Sequence, residues 1–159
     1  MDAQTIALKH VRSYIWIMSD PDTYHNGGKN NKGHVGAWLY SAQYNRWFWA
    51  QSYIGPEGKW VHAERAVLDK THAALGEIPS DAVALTTLEP CSDVDRLDRL
   101  GCSCSELLAN HNIKTVHCGA LDDSQMVDGQ RHQHAFSMLT TDDPVAIVAC
   151  NELYRLVTL

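Results

Sequence analysis

The fold is decided by three short stretches of sequence: His62-Ala63-Glu64, Leu88-Glu89-Pro90-Cys91 and Cys102-Ser103-Cys104. One histidine and two cysteines can fill three of the four tetrahedral positions of a zinc ion, which leaves the fourth for water. Glu64, two residues after the histidine, is then placed to move protons at that water. We therefore predict an open zinc site with His62 and Cys91 as ligands and either Cys102 or Cys104 as the third.

A closed zinc site is the alternative, because Cys102 and Cys104 could both bind together with the first two ligands. Such a site would be structural and inert, and it would leave Glu64 without a role. The open site makes a demand on local geometry, since residues i and i+2 of a helix point about 200° apart. His62 and Glu64 can share one site only if His62 stands at the entrance of a helix.

Length and composition fit a single folded domain over residues 1–159. Hydrophobic residues make up 45% of the chain and charged residues 20%, which is typical of a globular protein with a core. The net charge of -6 argues against a nucleic-acid partner, because such a surface usually carries a basic stripe. A local basic patch is still compatible with this charge, so nucleic acid is disfavoured rather than excluded.

Targeting signals are not found in the sequence. No run of about 18 apolar residues is present, so no transmembrane helix is expected. The start, Met1–Thr5, lacks the basic end and apolar run of a signal peptide. The five cysteines are an odd number, which together with the metal-like pattern favours a reducing cytoplasm. As an alternative, all five could be small core residues, although Cys91 and Cys104 lie beside polar, turn-forming sequence.

Apolar periodicity predicts alternating strands and helices. Strands are expected at 35–40, 46–53, 82–88, 115–118 and 145–149, the first two as a hairpin. Helices are expected at 3–18, 62–75, 104–110 and 131–139, with a last helix from 151. Strand, helix, strand, helix, strand in the second half implies parallel crossovers. The predicted fold class is α/β, a three-layer α/β/α sandwich around a five-stranded mixed sheet.

The order of the motifs resembles the cytidine deaminase-like superfamily, in which H-x-E is followed by P-C and a later C. The resemblance is greatest to the pyrimidine deaminase domain of riboflavin biosynthesis, which reads T-L-E-P-C-S and then C-[ST]-E. The chain has Thr87-Leu88-Glu89-Pro90-Cys91-Ser92 and Cys104-Ser105-Glu106 at these places. Its segment Gly119–Gly129 also fits the spacing of the family's G-M-x-D-P-N-P-x-V-x-G. The resemblance covers residues 33–159 and selects Cys104 over Cys102 as the third ligand.

The sequence departs from that domain in the segments that are expected to recognise the substrate. Its G-x-H-x-x-x-G before H-A-E is replaced by Tyr53, Gly55 and Lys59 at the matching positions. Its loop between the two cysteines carries G-R-T-P-P, whereas residues 93–101 are longer and charged. The reductase domain of the bifunctional enzymes is absent from this sequence. The shared motifs imply the family's reaction, and the departures leave its substrate open.

The resemblance implies a zinc-dependent hydrolytic deaminase of nucleotide metabolism. Its substrate would be a free nucleobase, nucleoside or nucleotide, and the resemblance favours a pyrimidine. Members of the superfamily commonly form homo-oligomers. One alternative is a deaminase that acts on cytosine or adenine in DNA or RNA. Another is a non-catalytic structural zinc module. Replacing Glu64 by glutamine separates the enzymes from the module, because only the enzymes need that carboxylate.

Candidate substrate-binding residues surround the predicted zinc site: Asn31, His34, Trp60, Ala63, Glu89 and Pro90. The first two precede the first strand, where members of the superfamily often contact the sugar, and a solvated loop is the alternative. Trp60, two residues before His62, is expected either to line the mouth of the pocket or to pack.

Three other residue pairs have two interpretations each. Arg96 and Arg99 could bind a phosphate bidentately, although such a charged run is more often a solvated surface. His132 and His134 are expected to be surface residues rather than ligands. Trp47 and Trp49 share one face of their strand by period two, and we expect them to pack on the sheet rather than to stack on bases.

Overall fold

A computed structural model describes residues 32–92 and 102–157 of the chain, with side chains from 35 to 92 and from 102 to 155. The predicted helix at 3–18, Asn31, and the arginines Arg96 and Arg99 lie outside the described residues. His34 is described by its backbone only. Within the described part, no helix is long and apolar enough to cross a membrane.

Residues 32–92 and 102–157 contain six strands and three helices. The strands are β1 Lys32–Ser41, β2 Arg46–Ile54, β3 Trp60–Val61, β4 Val83–Leu88, β5 Thr115–Ala120 and β6 Ser137–Thr140. The helices are α1 Ala63–Leu75, α2 Cys104–Asn110 and α3 Pro144–Val157, and a single 3-10 turn covers Asp123–Gln125. The predicted hairpin, the helices at 62–75 and 104–110, and the strands at 82–88 and 115–118 are confirmed to within a few residues.

All six strands form one mixed sheet in the order β3-β2-β1-β4-β5-β6. β1 pairs antiparallel with β2 and β4, whereas β4, β5 and β6 run parallel. The parallel crossover predicted from the strand at 82–88 through the helix at 104–110 to the strand at 115–118 is therefore confirmed, whereas the one predicted through a helix at 131–139 to a strand at 145–149 is wrong. The predicted count of five strands is wrong by one, because the short β3 and β6 were not expected and the strand predicted at 145–149 does not exist.

The C-terminal segment is where the sequence prediction fails. Residues 131–136 form a loop that leads into β6, not the helix expected at 131–139. The strand expected at 145–149 is the first part of α3, which also absorbs the helix expected from 151. The β-branched run from Val145 to Val148 suggested a strand, but the buried positions follow helical spacing: Ala146, Ala149, Cys150 and Leu153. Asp143 accepts hydrogen bonds from the backbone N–H groups of Val145 and Ala146 and so caps the helix.

The helices cover both faces of the sheet and give the predicted three layers. α1 and α2 enclose the larger core, whose most buried members include Leu39, Val67, Leu108 and Val116. α3 packs on the opposite face of the sheet. Gly119 lies three residues after Val116 on β5, so the two positions point to opposite faces. Gly119 faces Cys150 of α3. A Cβ at Gly119 would lie 2.1 Å from Cys150 Sγ, so only glycine lets α3 approach this closely.

Aromatic side chains pack on each other across the β1–β2 hairpin. Trp38 and Trp49 are paired in register and stack with ring centroids 5.6 Å apart. Tyr40 and Trp47 are the next pair, with centroids 4.5 Å apart. These contacts confirm that both tryptophans of β2 pack on the sheet, as expected for cross-strand aromatic pairs.

Candidate metal centre

His62 stands at the entrance of α1, as the open site requires. It is the N-cap residue, with extended backbone angles (φ -69°, ψ 153°), and the helix begins at Ala63. Glu64 is therefore in the first turn of α1. Because His62 precedes the helix, the angle of about 200° between residues i and i+2 of a helix does not apply to this pair. Both side chains turn inward, and Glu64 is only 4% exposed.

The two cysteines reach the same place from the end of β4 and the start of α2. Cys91 follows β4 after Pro90, and Cys104 is the first residue of α2. The backbone N–H of Cys104 donates to Cys91 Sγ (3.3 Å), and the N–H of Ser105 donates to the Cys91 carbonyl oxygen (2.9 Å). The start of α2 is thus tied directly to the turn that carries Cys91.

The start of α2 is also capped locally. Ser103 is the N-cap residue, and its hydroxyl accepts a hydrogen bond from the backbone N–H of Glu106 (3.2 Å). The sequence Ser-x-x-Glu at this point is the capping-box pattern that favours a helix start. Local sequence and tertiary contacts therefore agree on where Cys104 lies.

His62, Cys91 and Cys104 form the only metal-capable group of three or more such residues found in the described part of the chain. Nδ1 of His62 lies 3.0 Å from Cys104 Sγ and 3.5 Å from Cys91 Sγ, and all three ligand atoms lie within 4.8 Å of one another. Ligand atoms around a tetrahedral zinc ion lie roughly 3.5–3.8 Å apart, given Zn–S near 2.3 Å and Zn–N near 2.0 Å. The donor set therefore fits zinc, and the 3.5 Å between Nδ1 of His62 and Cys91 Sγ matches such a site, whereas the 3.0 Å to Cys104 Sγ is shorter.

Cys102 lies outside this group. Its Sγ lies 3.4 Å from the carbonyl oxygen of Ser103 and 3.8 Å from Oε2 of Glu106. The geometry thus brings together the three residues of the predicted open site and leaves out the residue that a closed, four-ligand site would need.

Electrostatics at the cluster favour ionisation of one thiol. Hydrogen bonding from Cys104 and from His62 together lowers the pKa of Cys91 to about 5, against the opposing effect of burial. The pKa of Cys104 is raised, because its thiol is held as the donor to Cys91 and because it is buried. Burial likewise raises the pKa of the Glu64 carboxyl, and the negative charge of Cys91 adds to this effect.

A polar network lies behind the two cysteines and centres on Glu89. Its Oε1 accepts from the backbone N–H of Asp122 (3.0 Å) and lies 3.6 Å from Nη1 of Arg131. Its Oε2 lies 2.8 Å from Nε2 of His134, whose Nδ1 lies 2.6 Å from Ser105 Oγ. The Glu89 side chain is 3% exposed, so its carboxylate is enclosed by partners of this chain.

His134 is the residue that sequence reasoning missed. We expected a surface position, but its side chain is 3% exposed and stacks on Phe136 with ring centroids 4.8 Å apart. His132, also expected on the surface, is exposed. The two histidines are separated by one residue in a polar stretch without clear periodicity, so no signal in the sequence distinguishes them.

The candidate substrate-binding residues stay predictions. Ala63 and Pro90 are buried beside the ligands, and Trp60 on β3 is 43% exposed. Glu89 is buried, as described above. Asn31 and the side chain of His34 lie outside the described residues.

No family model and no curated protein matches the sequence. Among solved structures, a diaminohydroxyphosphoribosylaminopyrimidine deaminase/5-amino-6-(5-phosphoribosylamino)uracil reductase from Thermotoga maritima is similar over 92% of this chain, with a TM-score of 0.52 and 22% identity. The chain has the cytidine deaminase-like fold. It spans 40% of the length of that enzyme.

Two further structures with lower scores are also similar to this chain. One comes from a study of tRNA deaminases that edit A to I at the wobble position, with a TM-score of 0.45, 20% identity, and coverage of 86% of this chain and 95% of that one. The other is the dCMP deaminase of cyanophage S-TIM5, with a TM-score of 0.45, 21% identity, and coverage of 67% and 79%.

Within the cytidine deaminase-like fold, the metal-capable cluster lies where three elements begin or end. His62 precedes α1, Cys91 follows β4, and Cys104 opens α2. In open α/β sheets, ligands bind outside the carboxyl ends of the parallel strands. The cluster follows this rule, since Cys91 comes after the carboxyl end of β4.

Proposed function

We propose that the protein is a zinc-dependent hydrolytic deaminase that removes an exocyclic amino group from a free nucleobase, nucleoside or nucleotide, with a pyrimidine as the ring. The observation that carries the proposal is the convergence of His62, Cys91 and Cys104 beside the buried carboxyl of Glu64. A structural zinc site needs no such carboxyl, whereas a hydrolytic site needs a group that moves protons.

His62, Cys91 and Cys104 would hold the zinc ion. When bound, zinc supplies a Lewis acid that lowers the pKa of a coordinated water from 15.7 towards about 7. Cys91 is suited to bind a cation, because its thiol ionises far more readily than an ordinary cysteine. His62 is held by the N-cap geometry with its Nδ1 turned towards both sulfur atoms.

Glu64 would carry the protons of the reaction. Its carboxylate would take one proton from water and give it to the ring nitrogen, and would then take the remaining proton of the added hydroxyl and give it to the leaving amine. The overall change replaces the exocyclic C–NH₂ of the ring by C=O, consumes one water and releases one ammonia. Burial raises the pKa of Glu64 towards the working pH, where a group that both accepts and returns protons is most effective.

The remaining parts of the proposal rest on the sequence. Asn31, His34, Trp60, Ala63, Glu89 and Pro90 are proposed to line the substrate pocket. The motif Thr87–Ser92 supports a pyrimidine, since it resembles the pyrimidine deaminase domain of riboflavin biosynthesis. We also propose one catalytic domain over residues 1–159, a homo-oligomer, and a reducing cytoplasm, which would keep the ligand thiols out of disulfide bonds, as all five cysteines are in the structure.

Ammonia release by the zinc-loaded protein tests the proposal. The panel would contain cytosine, cytidine, deoxycytidine, their phosphates, the riboflavin-pathway aminopyrimidine, adenine and guanine compounds, and single-stranded oligonucleotides. We expect turnover of one free pyrimidine compound, loss of that turnover in Glu64→Gln, and retention in Glu57→Gln. Glu57 is a matched control, because it lies exposed in the turn before β3.

Other outcomes point elsewhere. Turnover of oligonucleotides alone would replace the proposal by a nucleic-acid deaminase. Firm zinc binding with no turnover of any compound, and no difference between wild type and Glu64→Gln, would leave a structural zinc module. Absence of zinc binding by the wild-type protein would refute both metal-dependent interpretations.

A further inference from the structure

A buried histidine bridges the two elements that carry the cysteines. His134 accepts or donates hydrogen bonds at both ring nitrogens, to Glu89 on one side (2.8 Å) and Ser105 on the other (2.6 Å). Glu89 lies two residues before Cys91, and Ser105 immediately follows Cys104. The ring therefore joins the end of β4 to the start of α2 from outside the cluster.

The protons of this bridge can be assigned from the chemistry of its members. An ionised carboxylate only accepts hydrogen bonds, so Nε2 of His134 donates to Glu89. With one ring proton, Nδ1 then accepts, and the Ser105 hydroxyl donates to it. Each contact has a defined direction, and the Ser105 hydroxyl is fixed as a donor.

Both ends of the bridge are held by further contacts. The Glu89 carboxylate is oriented by the backbone N–H of Asp122 and by Arg131. The His134 ring is stacked between its neighbours, face to face on Phe136 (interplanar angle 14°) and edge-on against His132 (77°). Since the two hydrogen bonds and the stack on Phe136 hold the ring, it acts as a spacer of fixed length.

A hydrolase-like role for the same three residues fits less well. Serine, histidine and glutamate do follow one another in hydrogen-bond order, as in acyl-transfer enzymes. Ser105 is only 4% exposed, however, and it does not line the cavity of about 650 Å³ onto which Glu89 and His134 open. A substrate in that cavity would not meet the hydroxyl that would have to attack.

We propose that His134 is a positioning residue for the metal site, and that its paired hydrogen bonds to Glu89 and Ser105 set the separation of Cys91 and Cys104. The inference rests on the proposed function, since it takes the cluster to be a zinc site. Hydrogen bonds outside the ligand shell commonly change metal affinity by about 10–100-fold when they are removed. His134 acts one residue further out, through the residues next to the ligands.

Zinc affinity of His134 variants, measured by competition with a chromogenic chelator, tests this role. We expect His134→Ala to bind zinc about 10–100-fold more weakly than the wild type. The amide nitrogen of glutamine lies near the position of Nε2, so His134→Gln keeps the contact with Glu89. The oxygen of asparagine lies near Nδ1, so His134→Asn keeps the contact with Ser105. Each is expected to lose part of the affinity.

Cobalt substitution gives a second readout that a merely structural role would not change. The absorption bands between Co²⁺ and thiolate report how both cysteines approach the metal, and we expect them to shift in His134→Ala and to recover in part in the asparagine and glutamine variants. His132→Ala is the matched control. It removes a ring contact of His134 and keeps both hydrogen bonds, so it should bind zinc and cobalt as the wild type does.

The outcomes separate this inference from the proposed function. If the wild type binds no zinc, both are refuted. If the wild type binds zinc and turns over substrate, while the His134 variants keep its affinity and cobalt spectrum, only the positioning role is refuted. Should His134→Ala fail to fold, the asparagine and glutamine variants, together with Ser105→Ala, give the same decision.

Discussion

The four most deeply buried cysteines form two pairs with opposite environments. Cys91 and Cys104 are 8% and 1% exposed and face a histidine, a glutamate and backbone N–H groups. Cys118 on β5 and Cys150 on α3 are both 0% exposed. Burial raises the pKa of each of these two thiols to about 12, whereas that of Cys91 falls to about 5.

The difference shows that hydrogen-bond donors, rather than depth of burial, decide what a cysteine can do. A buried thiol without donors stays protonated and behaves as a small apolar side chain. A thiol of similar burial that receives hydrogen bonds becomes a thiolate, the form that binds metals. The pair at the cluster is thus separated chemically from the pair in the core, although both lie inside the same domain.

Removing one thiol from each pair gives the largest contrast. We expect Cys91→Ala or Cys104→Ala to lose stoichiometric zinc and to release ammonia no faster than Glu64→Gln. Cys118→Ala should keep both properties and lose only about 1 kcal/mol of the free energy of unfolding. Metal analysis after dialysis and calorimetry measure the two effects. Retention of zinc by Cys91→Ala, or loss of zinc from Cys118→Ala, would contradict the assignment of metal binding to the first pair alone.

Titration of the metal-free protein sharpens the comparison. Cys91 is protonated below pH 5 and ionised above it, so the ultraviolet absorbance of thiolate should rise as the pH passes through about 5, far below the usual value of 9.0. Cys91→Ala should abolish this step, and Cys118→Ala should leave it in place. A single rise near the ordinary cysteine pKa would show that the hydrogen bonds at Cys91 do not stabilise its thiolate in solution.

Substitution of Gly119 by a larger residue tests the packing of Cys150 in the core pair and leaves the residues of the metal-capable cluster unchanged. In Gly119→Ala the new Cβ meets Cys150 Sγ and Cβ, so α3 has to shift, and we expect a cost of about 1–3 kcal/mol in the free energy of unfolding. The zinc affinity should stay at the wild-type value. Thermal unfolding and the chelator competition measure the two quantities, and an unchanged Tm would mean that α3 moves freely over β5.

The cluster could be predicted from the sequence because local and long-range signals agree there. Pro90 ends β4, Ser103 caps α2, and the position of His62 before α1 follows from the requirement that it share a site with Glu64. Each ligand lies at the boundary of an element, and boundaries marked by proline or a capping serine are readable in one sequence.

The C-terminal part could not be predicted because tertiary packing decides it. The β-branched residues from Val145 to Val148 have strand propensity, yet the burial of Ala146, Cys150 and Leu153 against the sheet favours a helix. β6 has only four residues and exists through its pairing with β5. The burial of His134 depends on partners from β4 and α2, which lie far away in sequence.

The contacts that hold Ser92 and the start of α2 have a consequence for sequence variation between them. Ser92 is held by hydrogen bonds from its N–H and hydroxyl to Oε1 of Gln125, and the start of α2 is held to Cys91. The ends of the segment 93–101 are therefore fixed by contacts that do not involve it. Insertions between Ser92 and Cys102 can accordingly leave the ligands in place, because the residues on either side are held by contacts of their own.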